Sequence, residues 1–379
     1  MKKKIMIDTF NIADLFFRAA KRNAGKTAII FKESKISFAD LERRVMDSAH
    51  YFLKKGINKG DRVLILVPMS IDLYRIVLAL FKIGATAVFL DEWVSKKRME
   101  ECCRIVNCKA MIGIFKARIF SFFSSELRKI PIKLGVEYSG NIDDINKIFT
   151  VTKKNDTALI TFTTGSTGSP KAAKRTHEFL HHQFLALIEK IRPVEDDIDM
   201  PVLPIVLLIN LATGTTSVIA DFKSGKPNSL QPKKIIQQIK QHSVNRMTAS
   251  PFFIKEISKY IISKKLLVRN MRNIFTGGAP VFPNEAEIYV KAFPDAKVEI
   301  VYGSTEAEPI SAINARELIE EKNNIQSQGL MVGKADKNIE VKIIKIIDKN
   351  IYISSEEELL NIELPVKEIG EIIVSGSHV

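Results

Sequence analysis

Short apolar runs alternate with amphipathic stretches of helical length along most of this chain. RVLILV precedes a helical pattern near residues 70–82, and AVFL precedes another near residues 95–106. The same alternation returns after residue 156, in TALITF, a helix near 176–191, a strand near Val218, a helix near 232–241, VNRMTA, a helix near 251–262, RNIFTGG, a helix near 283–293 and KVEIVYG. This rhythm predicts an α/β fold in which helices join parallel strands and ligands bind at the carboxyl ends of the strands.

The pattern changes after about residue 328. IEVKIIKI, NIYISS and GEIIVSG follow one another as short alternating segments, which predicts antiparallel strands with no helix between them. We therefore expect three units: a first α/β subdomain at residues 1–155, a second at residues 156–327 and a small β unit at residues 328–379. No further strand pattern follows GEIIVSG before Val379, so we expect the last unit to be incomplete.

The size and charge of the chain leave several classes of partner to consider. Its 379 residues are 46% hydrophobic, enough to bury at least one large core. Basic residues outnumber acidic ones by 57 to 43, a net charge of +14 that could attract nucleic acid, an anionic membrane or a phosphorylated substrate. Because the excess is spread along the chain, and we find no interleaving of aromatic and basic residues, we favour an ordinary solvated surface and expect no nucleic-acid partner.

The cysteines and the longest uncharged segment bear on location. Cys102, Cys103 and Cys108 lie close together without a CxxC pair or a nearby histidine, so neither a zinc site nor a disulfide framework is indicated and a cytoplasmic location is expected. Residues 200–220 carry no charge and are long enough to span a bilayer, but their proline, glycine and threonine residues predict a buried helix followed by a strand. We therefore expect no transmembrane segment.

The strongest chemical signal is TTGSTGSPK, residues 163–171, which directly follows the predicted strand TALITF. Its glycines allow consecutive backbone N–H groups to point into one concavity, which is how loops bind phosphate oxygens. The Walker A spacing fails because Pro170 precedes the lysine and Ala172 follows it, and no GxGxxG is present. The residues that we assign to a bound triphosphate are Thr163, Thr164, Gly165, Ser166, Thr167, Gly168 and Lys171.

This loop resembles the phosphate-binding motif of the adenylate-forming superfamily, which includes acyl-CoA synthetases, peptide-synthetase adenylation domains and luciferases. Four other segments resemble motifs of that family and occur in its order, namely ISFADL, LFKIGATAVFLD, TGGAP and VYGSTEAE. The ordered set covers nearly the whole chain. The resemblance implies two stacked parallel-sheet αβα subdomains and the start of a small β-barrel unit, as in the N-terminal domain of an acyl-CoA synthetase.

The resemblance also implies roles for individual residues. Tyr302 is expected to lie against adenine, with the backbone of Gly278 and Ala279 as the opposite wall. Thr305 is expected to bond the α-phosphate, and Glu306 to hold Mg²⁺ through its carboxylate. The full set of expected nucleotide-binding residues outside the loop is Gly278, Ala279, Pro280, Tyr302, Gly303, Ser304 and Thr305, and the expected catalytic residues are Lys171, Thr305 and Glu306.

The implied reaction is the attack of a substrate carboxylate on the α-phosphorus of ATP, followed by transfer of the acyl group to a thiol such as that of coenzyme A. The segment at residues 201–214 has neither histidine nor an aromatic residue, which favours a hydrophobic acid. With TGGAPVFP and STEAEP, it looks more like the acyl-CoA synthetase branch, including the β-lactone synthetases of bacterial olefin formation, than the peptide-synthetase branch.

The sequence departs from the family pattern at its end. The aspartate that grips the ribose hydroxyls and the lysine of the C-terminal lid domain are not found before Val379, so we expect this fragment to be inactive alone. A noncatalytic nucleotide- or acyl-binding module is the alternative. A second copy of the chain or a carrier protein stays open as a partner. His177, His181 and His182 share one predicted helix, but no Glu or Cys completes a metal site, and we do not assign one.

Overall fold

The described part of the chain consists of two mixed β-sheets, a separate two-stranded ribbon and the helices around them. A computed structural model describes residues 10–90, 95–138, 150–164, 170–222, 226–324, 329–349 and 351–379. Its strands are β1 (Thr27–Phe31), β2 (Ser34–Ser37), β3 (Arg62–Leu66), β4 (Thr86–Val88), β5 (Ala110–Gly113), β6 (Ile132–Leu134), β7 (Thr157–Thr164), β8 (Pro170–Thr176), β9 (Ile198–Pro201), β10 (Thr216–Ile219), β11 (Arg246–Ala249), β12 (Asn273–Gly277), β13 (Lys297–Tyr302), β14 (Ser311–Asn314), β15 (Lys334–Ala335), β16 (Ile339–Ile344) and β17 (Glu371–Gly376).

Many of the described helices begin at a capping hydroxyl or at a proline. Ser37, Ser70 and Thr176 each accept a hydrogen bond from a backbone N–H in the first turn of the helix that follows, and four helices begin with proline. The helices are α1 (Ala13–Arg22), α2 (Phe38–Lys54), α3 (Ile71–Lys82), α4 (Lys96–Val106), α5 (Phe115–Ser121), α6 (Ser125–Lys129), α7 (His177–Ile191), α8 (Pro204–Thr213), α9 (Pro232–Gln241), α10 (Pro251–Ser263), α11 (Pro283–Ala292), α12 (Ala315–Glu320) and α13 (Glu356–Leu360), with 3₁₀ turns at Pro227–Ser229 and Glu321–Asn324.

Parallel pairing dominates the interior of both sheets, as the sequence predicts. The six-stranded sheet has the order β6-β5-β3-β4-β7-β8, and only the β7–β8 pair is antiparallel. The nine-stranded sheet has the order β15-β14-β13-β12-β11-β9-β10-β1-β2, with antiparallel strands at its two ends. The mixed α/β fold expected from the sequence is therefore confirmed.

Each sheet takes strands from both sides of the expected boundary at residue 155. The hairpin β1–β2 joins the nine-stranded sheet through β10, where the hydroxyl of Thr216 donates a hydrogen bond to the carbonyl oxygen of Thr27 at 2.7 Å. The hairpin β7–β8 instead joins the six-stranded sheet through β4. The boundary expected at residue 155 therefore does not separate the strands of one sheet from the strands of the other. It stays a prediction about subdomains along the chain.

The unit after residue 328 differs from the prediction in its middle. β16 and β17 pair in antiparallel register, with Ile344 opposite Glu371. Residues 351–355, the described part of NIYISS, do not form a strand, and the short helix α13 follows them. The prediction of an uninterrupted strand series is wrong because the hydroxyl of Ser355 caps this helix at Glu358 N–H, and acidic residues fill its first turn, where the helix dipole favours them.

Helices α1, α2 and α3 pack in one hydrophobic cluster with strands of both sheets. This cluster includes Phe16, Leu41 and Leu73 from the helices, Ile29 from β1 and Val63 from β3. Residues 200–220 form the end of β9, helix α8 and strand β10, as predicted for this uncharged segment. Within the described ranges, no helix is both long and apolar enough to cross a membrane.

Candidate functional site

A cavity of about 1230 Å³ lies where the carboxyl ends of strands from both sheets meet. Parallel sheets place their ligands at this edge, because the loops that follow the strands converge there. The six-stranded sheet contributes the segments after β3 and β4, and the nine-stranded sheet contributes those after β9, β12 and β13. These segments therefore surround one continuous space at the edge where the strand pattern predicts a ligand.

The predicted phosphate loop connects two antiparallel strands. Thr163 on β7 pairs with Lys171 on β8, and Lys171 lines the cavity. Lys171 and Arg175 are four residues apart and share one face of β8, whereas Lys174 belongs to the other face and lines a separate cavity. The remaining loop residues, Gly165, Ser166, Thr167 and Gly168, lie outside the described residues, as do the side chains of Thr163 and Thr164. Their assignment to a triphosphate stays a prediction.

A hydrogen-bonded turn after β13 presents Thr305 and Glu306 to the cavity. The backbone N–H of Ser304 donates to the carbonyl oxygen of Ala307 at 2.8 Å, and the hydroxyl of Ser304 accepts from the N–H groups of Glu306 at 3.3 Å and Ala307 at 3.2 Å. Gly303 precedes this turn, and a Cβ there would lie 2.9 Å from the carbonyl oxygen of Ala307. The motif YGSTEA thus folds as a tight turn in which Ser304 acts as an internal hydrogen-bond partner.

The two predicted adenine-side segments follow neighbouring strands. β12 and β13 pair in parallel with Gly277 opposite Val301, and a Cβ on Gly277 would clash with the carbonyl oxygen of Val301. Gly278 has a φ of +82°, which favours glycine, and lines the cavity. Tyr302 is 37% exposed at the end of β13. Three residues of the predicted set, Ala279, Pro280 and Tyr302, are exposed beside the cavity and are not part of its wall.

Arg175 is a wall residue that the sequence analysis misses. Its Nη2 donates a hydrogen bond of 2.8 Å to the carbonyl oxygen of Thr305, which links β8 to the turn after β13. Burial lowers the pKa of Arg175, against the opposing influence of Glu308 and Glu306. Burial raises the pKa of Glu308, against the opposing charge of Arg175. The signal in the sequence is the spacing of four between Lys171 and Arg175, which places both on one face of a strand or of a helix. The sequence does not show that this face borders the cavity, because that depends on the pairing of β8 with β7.

The rest of the wall is largely apolar. From the segment at residues 201–214, the aliphatic residues Leu203, Ile205 and Leu208 and one proline line the cavity. A side cavity of about 50 Å³ between α1, α3, α7 and α8 shares Gln183, Ile205 and Leu208 with the large one. Gln183 is 2% exposed, and its Oε1 has no hydrogen-bond partner among the described residues.

The site fits magnesium bound together with a nucleotide. No group of three or more His, Cys, Asp or Glu side chains that could hold a metal occurs in the described part of the chain. Mg²⁺ in nucleotide sites keeps several waters and takes only one or two protein carboxylates along with the phosphates. Glu306 is exposed and lines the cavity, so it is placed to supply such a carboxylate. His177 lies elsewhere, with its Nδ1 accepting a hydrogen bond from the backbone N–H of Ile12 at 3.1 Å.

The sequence of this chain is similar to a known protein family and to characterised relatives. A family model described as "AMP-binding enzyme" matches residues 16–379. An olefin β-lactone synthetase of Xanthomonas campestris is 29% identical over 362 residues, covering 90% of this chain and 62% of the relative. A second, from Stenotrophomonas maltophilia, is 26% identical over 370 residues, covering 94% of this chain and 65% of the relative. The chain thus spans less than two thirds of the length of these relatives.

Solved structures with the same fold include a coenzyme A synthetase in complex with AMP. The N-terminal domain of FACL13 from Mycobacterium tuberculosis superposes with a TM-score of 0.78 at 18% identity, covering 98% of this chain and 90% of that one. The o-succinylbenzoate coenzyme A synthetase from Bacillus subtilis, in complex with AMP, gives a TM-score of 0.76 at 20% identity, covering 96% and 70%. At these identities the likeness establishes the fold.

Proposed function

Because the chain belongs to the family of AMP-binding enzymes, we propose that it forms the ATP-binding part of a ligase that activates a carboxylic acid as an acyl-AMP. The observation that carries the proposal is the composition of one cavity wall. Lys171, Thr305 and Glu306 line the same space as the aliphatic residues of α3 and α8. A polyanionic group and an apolar acyl group can therefore be bound next to each other.

The proposed reaction needs alignment and charge neutralisation and no nucleophile from the protein. A carboxylate oxygen of the acid attacks the α-phosphorus of ATP, a new P–O bond forms, and the bond to the leaving pyrophosphate breaks. Both reactants are anionic, so Lys171 stabilises the phosphate charge while Thr305 donates a hydrogen bond to the α-phosphate. Glu306 would hold Mg²⁺, which would supply further neutralisation of the phosphate charge. Arg175 fixes the turn that carries Thr305 and Glu306.

The apolar wall supports a hydrophobic acid as the substrate. Leu203, Ile205 and Leu208 offer aliphatic surface, and the side cavity continues it. Among relatives, the olefin β-lactone synthetase of Xanthomonas campestris is 29% identical to this chain, and the tyrocidine synthase 2 of Brevibacillus parabrevis is 20% identical. We propose a fatty or other hydrophobic acid, with a thiol such as that of coenzyme A as the acceptor.

A matched pair of lysine variants tests the proposal. Lys171→Ala removes a charge from the cavity wall, whereas Lys174→Ala removes the same charge from the opposite face of the same strand. Charge-assisted hydrogen bonds contribute about 1.5 to 3 kcal/mol, so Lys171→Ala is expected to weaken Mg·ATP binding about ten- to a hundredfold. Isothermal titration of this chain measures the binding, and acid-dependent pyrophosphate exchange in the longest available form of the protein measures the reaction. Equal effects of the two variants would contradict the proposal.

A further inference from the structure

A row of exposed aromatic side chains follows β5 of the six-stranded sheet. Phe115 is 68% exposed, Phe122 66% and Phe123 69%. Among the described residues, solvent-exposed phenylalanines of this degree are concentrated in this stretch of nine residues. Single exposed apolar residues need no explanation, but a contiguous group of them marks a surface that binds something apolar.

Helical spacing places these side chains on one face. Phe115 and Ile119 are four residues apart in α5, and the backbone N–H of Phe122 donates to the carbonyl oxygen of Ile119 at 3.1 Å, which extends the helical path. Positions i, i+4 and i+7 share a helix face. Ile119, 44% exposed, thus joins Phe115 and Phe122, with Phe123 at the edge of the same face. We call these four residues the aromatic patch.

The segment around the aromatic patch is strongly basic. Residues 96–133 contain ten basic and three acidic side chains, a net +7, which is half of the chain's +14. The excess of positive charge was expected to be spread along the chain, and this concentration corrects that expectation. Some of the cations are paired, as Arg104 and Lys129 are with Glu126. Lys96, Lys97, Lys116 and Arg128 are also exposed.

We propose that the aromatic patch and its basic surroundings bind the surface of an anionic lipid bilayer. Aromatic side chains suit the boundary between headgroups and acyl chains, and each nearby Lys or Arg adds attraction to anionic lipids. A partner protein would have to offer a surface that is both apolar and acidic, whereas an anionic bilayer has both properties everywhere. If the substrate is the hydrophobic acid proposed above, attachment also brings the chain to the phase in which such acids dissolve.

Vesicle co-sedimentation of the chain tests the inference. The wild-type chain is expected to bind vesicles containing about 30% phosphatidylglycerol, and to bind pure phosphatidylcholine vesicles at least about tenfold more weakly. The double variant Phe122→Ser/Phe123→Ser is expected to lose at least about tenfold in binding to the anionic vesicles. The double variant Val366→Ser/Ile369→Ser is the matched control, because it removes two side chains that are 93% and 91% exposed in a different part of the chain.

Melting temperatures of both double variants verify that they fold. The charge-reversal variant Lys97→Glu/Lys116→Glu is a second, independent test and is expected to show the same loss of binding to anionic vesicles. Equal binding by the wild type and the Phe122→Ser/Phe123→Ser variant overturns the inference, as does the absence of binding to anionic vesicles. If the wild-type chain does not bind vesicles but dimerises with rising concentration, and Phe122→Ser/Phe123→Ser abolishes the dimer, the inference is overturned. The aromatic patch then binds a second copy of the chain. Mg·ATP binding is measured in parallel and does not depend on the aromatic patch, so the proposed function and this inference fail separately.

Discussion

His177 makes the stability of this chain depend on pH, and the substitution His177→Asn tests how much. His177 is the first residue of α7 and is fully buried. Its Nδ1 accepts a hydrogen bond from the backbone N–H of Ile12, which ties α7 to the start of α1. Burial lowers the pKa of His177 from 6.5 to about 4, although Asp156 and Asp14 act in the opposite direction. The imidazole is therefore neutral in the folded chain at neutral pH.

The sign of the effect follows from the direction of this pKa shift. A histidine whose pKa is lower in the folded state binds protons more readily in the unfolded chain, so acid favours unfolding. The contribution of His177 to stability is fully present above pH 6.5 and is lost as the pH falls toward 4. The complete shift corresponds to about 3 kcal/mol, of which about 2 kcal/mol is lost at about pH 5.

Urea denaturation at about pH 7.5 and pH 5 measures this loss in the wild type and in His177→Asn. Asparagine keeps an acceptor for the N–H of Ile12 but cannot be protonated, so the variant is expected to lose about 2 kcal/mol less than the wild type between the two pH values. Groups other than His177 contribute equally to both proteins and cancel in the comparison. His182→Asn, on the same helix at a partly exposed position, is the control. Parallel pH profiles for the wild type and His177→Asn would refute the reasoning.

Two further predictions concern buried polar groups. Gln183→Leu is expected to leave the free energy of unfolding unchanged or raise it by about 1 kcal/mol, because it removes a carboxamide oxygen without a described partner; a clear loss in urea denaturation contradicts this. Arg246→Met is expected to destabilise the chain by about 3 to 5 kcal/mol, because Asp197, bonded to Arg246 at 2.7 Å, is left buried without its cation. Arg272→Met breaks an exposed ion pair with Asp196 and should lower the free energy of unfolding by under about 1 kcal/mol. Equal losses of stability in the Arg246 and Arg272 variants would contradict the expected difference between a buried and an exposed ion pair.

Local patterns in the sequence predict the helices and the interior strands well. The helix expected near residues 70–82 is α3, which begins after the capping hydroxyl of Ser70 and ends before Ile83. The uncharged segment 200–220 divides into strand, helix and strand at its proline and glycine residues. These elements are predictable because the information that defines each one, its apolar period and its capping residues, lies within the element itself.

Elements that depend on distant partners are not predictable in this way. PKAAKRT contains a proline and three cations and does not alternate like a buried strand, yet it forms β8 because β7 pairs with it. Pro170 is tolerated at its start, and its charged residues suit a strand at the edge of a sheet. For this reason Arg175, which is visible as a wall residue only once β8 exists, is missed, whereas Lys171 is found from its motif. β1 is a similar case, because its place beside β10 depends on residues that are far away in the chain.

The polar side chains of the cavity wall come from both sheets, so the shape of the cavity depends on how the sheets are placed relative to each other. A hydrogen bond joins the two groups of polar residues directly. Lys171 and Arg175 belong to the six-stranded sheet through β8, whereas Thr305 and Glu306 follow β13 of the nine-stranded sheet. The bond from Arg175 to the carbonyl oxygen of Thr305 crosses between them. Phosphate neutralisation in the proposed reaction needs Lys171 and Glu306 at a fixed separation, and we therefore propose Arg175 as a positioning residue for both. The negative charges of Glu308 and Glu306 partly offset the cost of burying this guanidinium, which lets Arg175 remain a cation while its hydrogen bond links the two sheets.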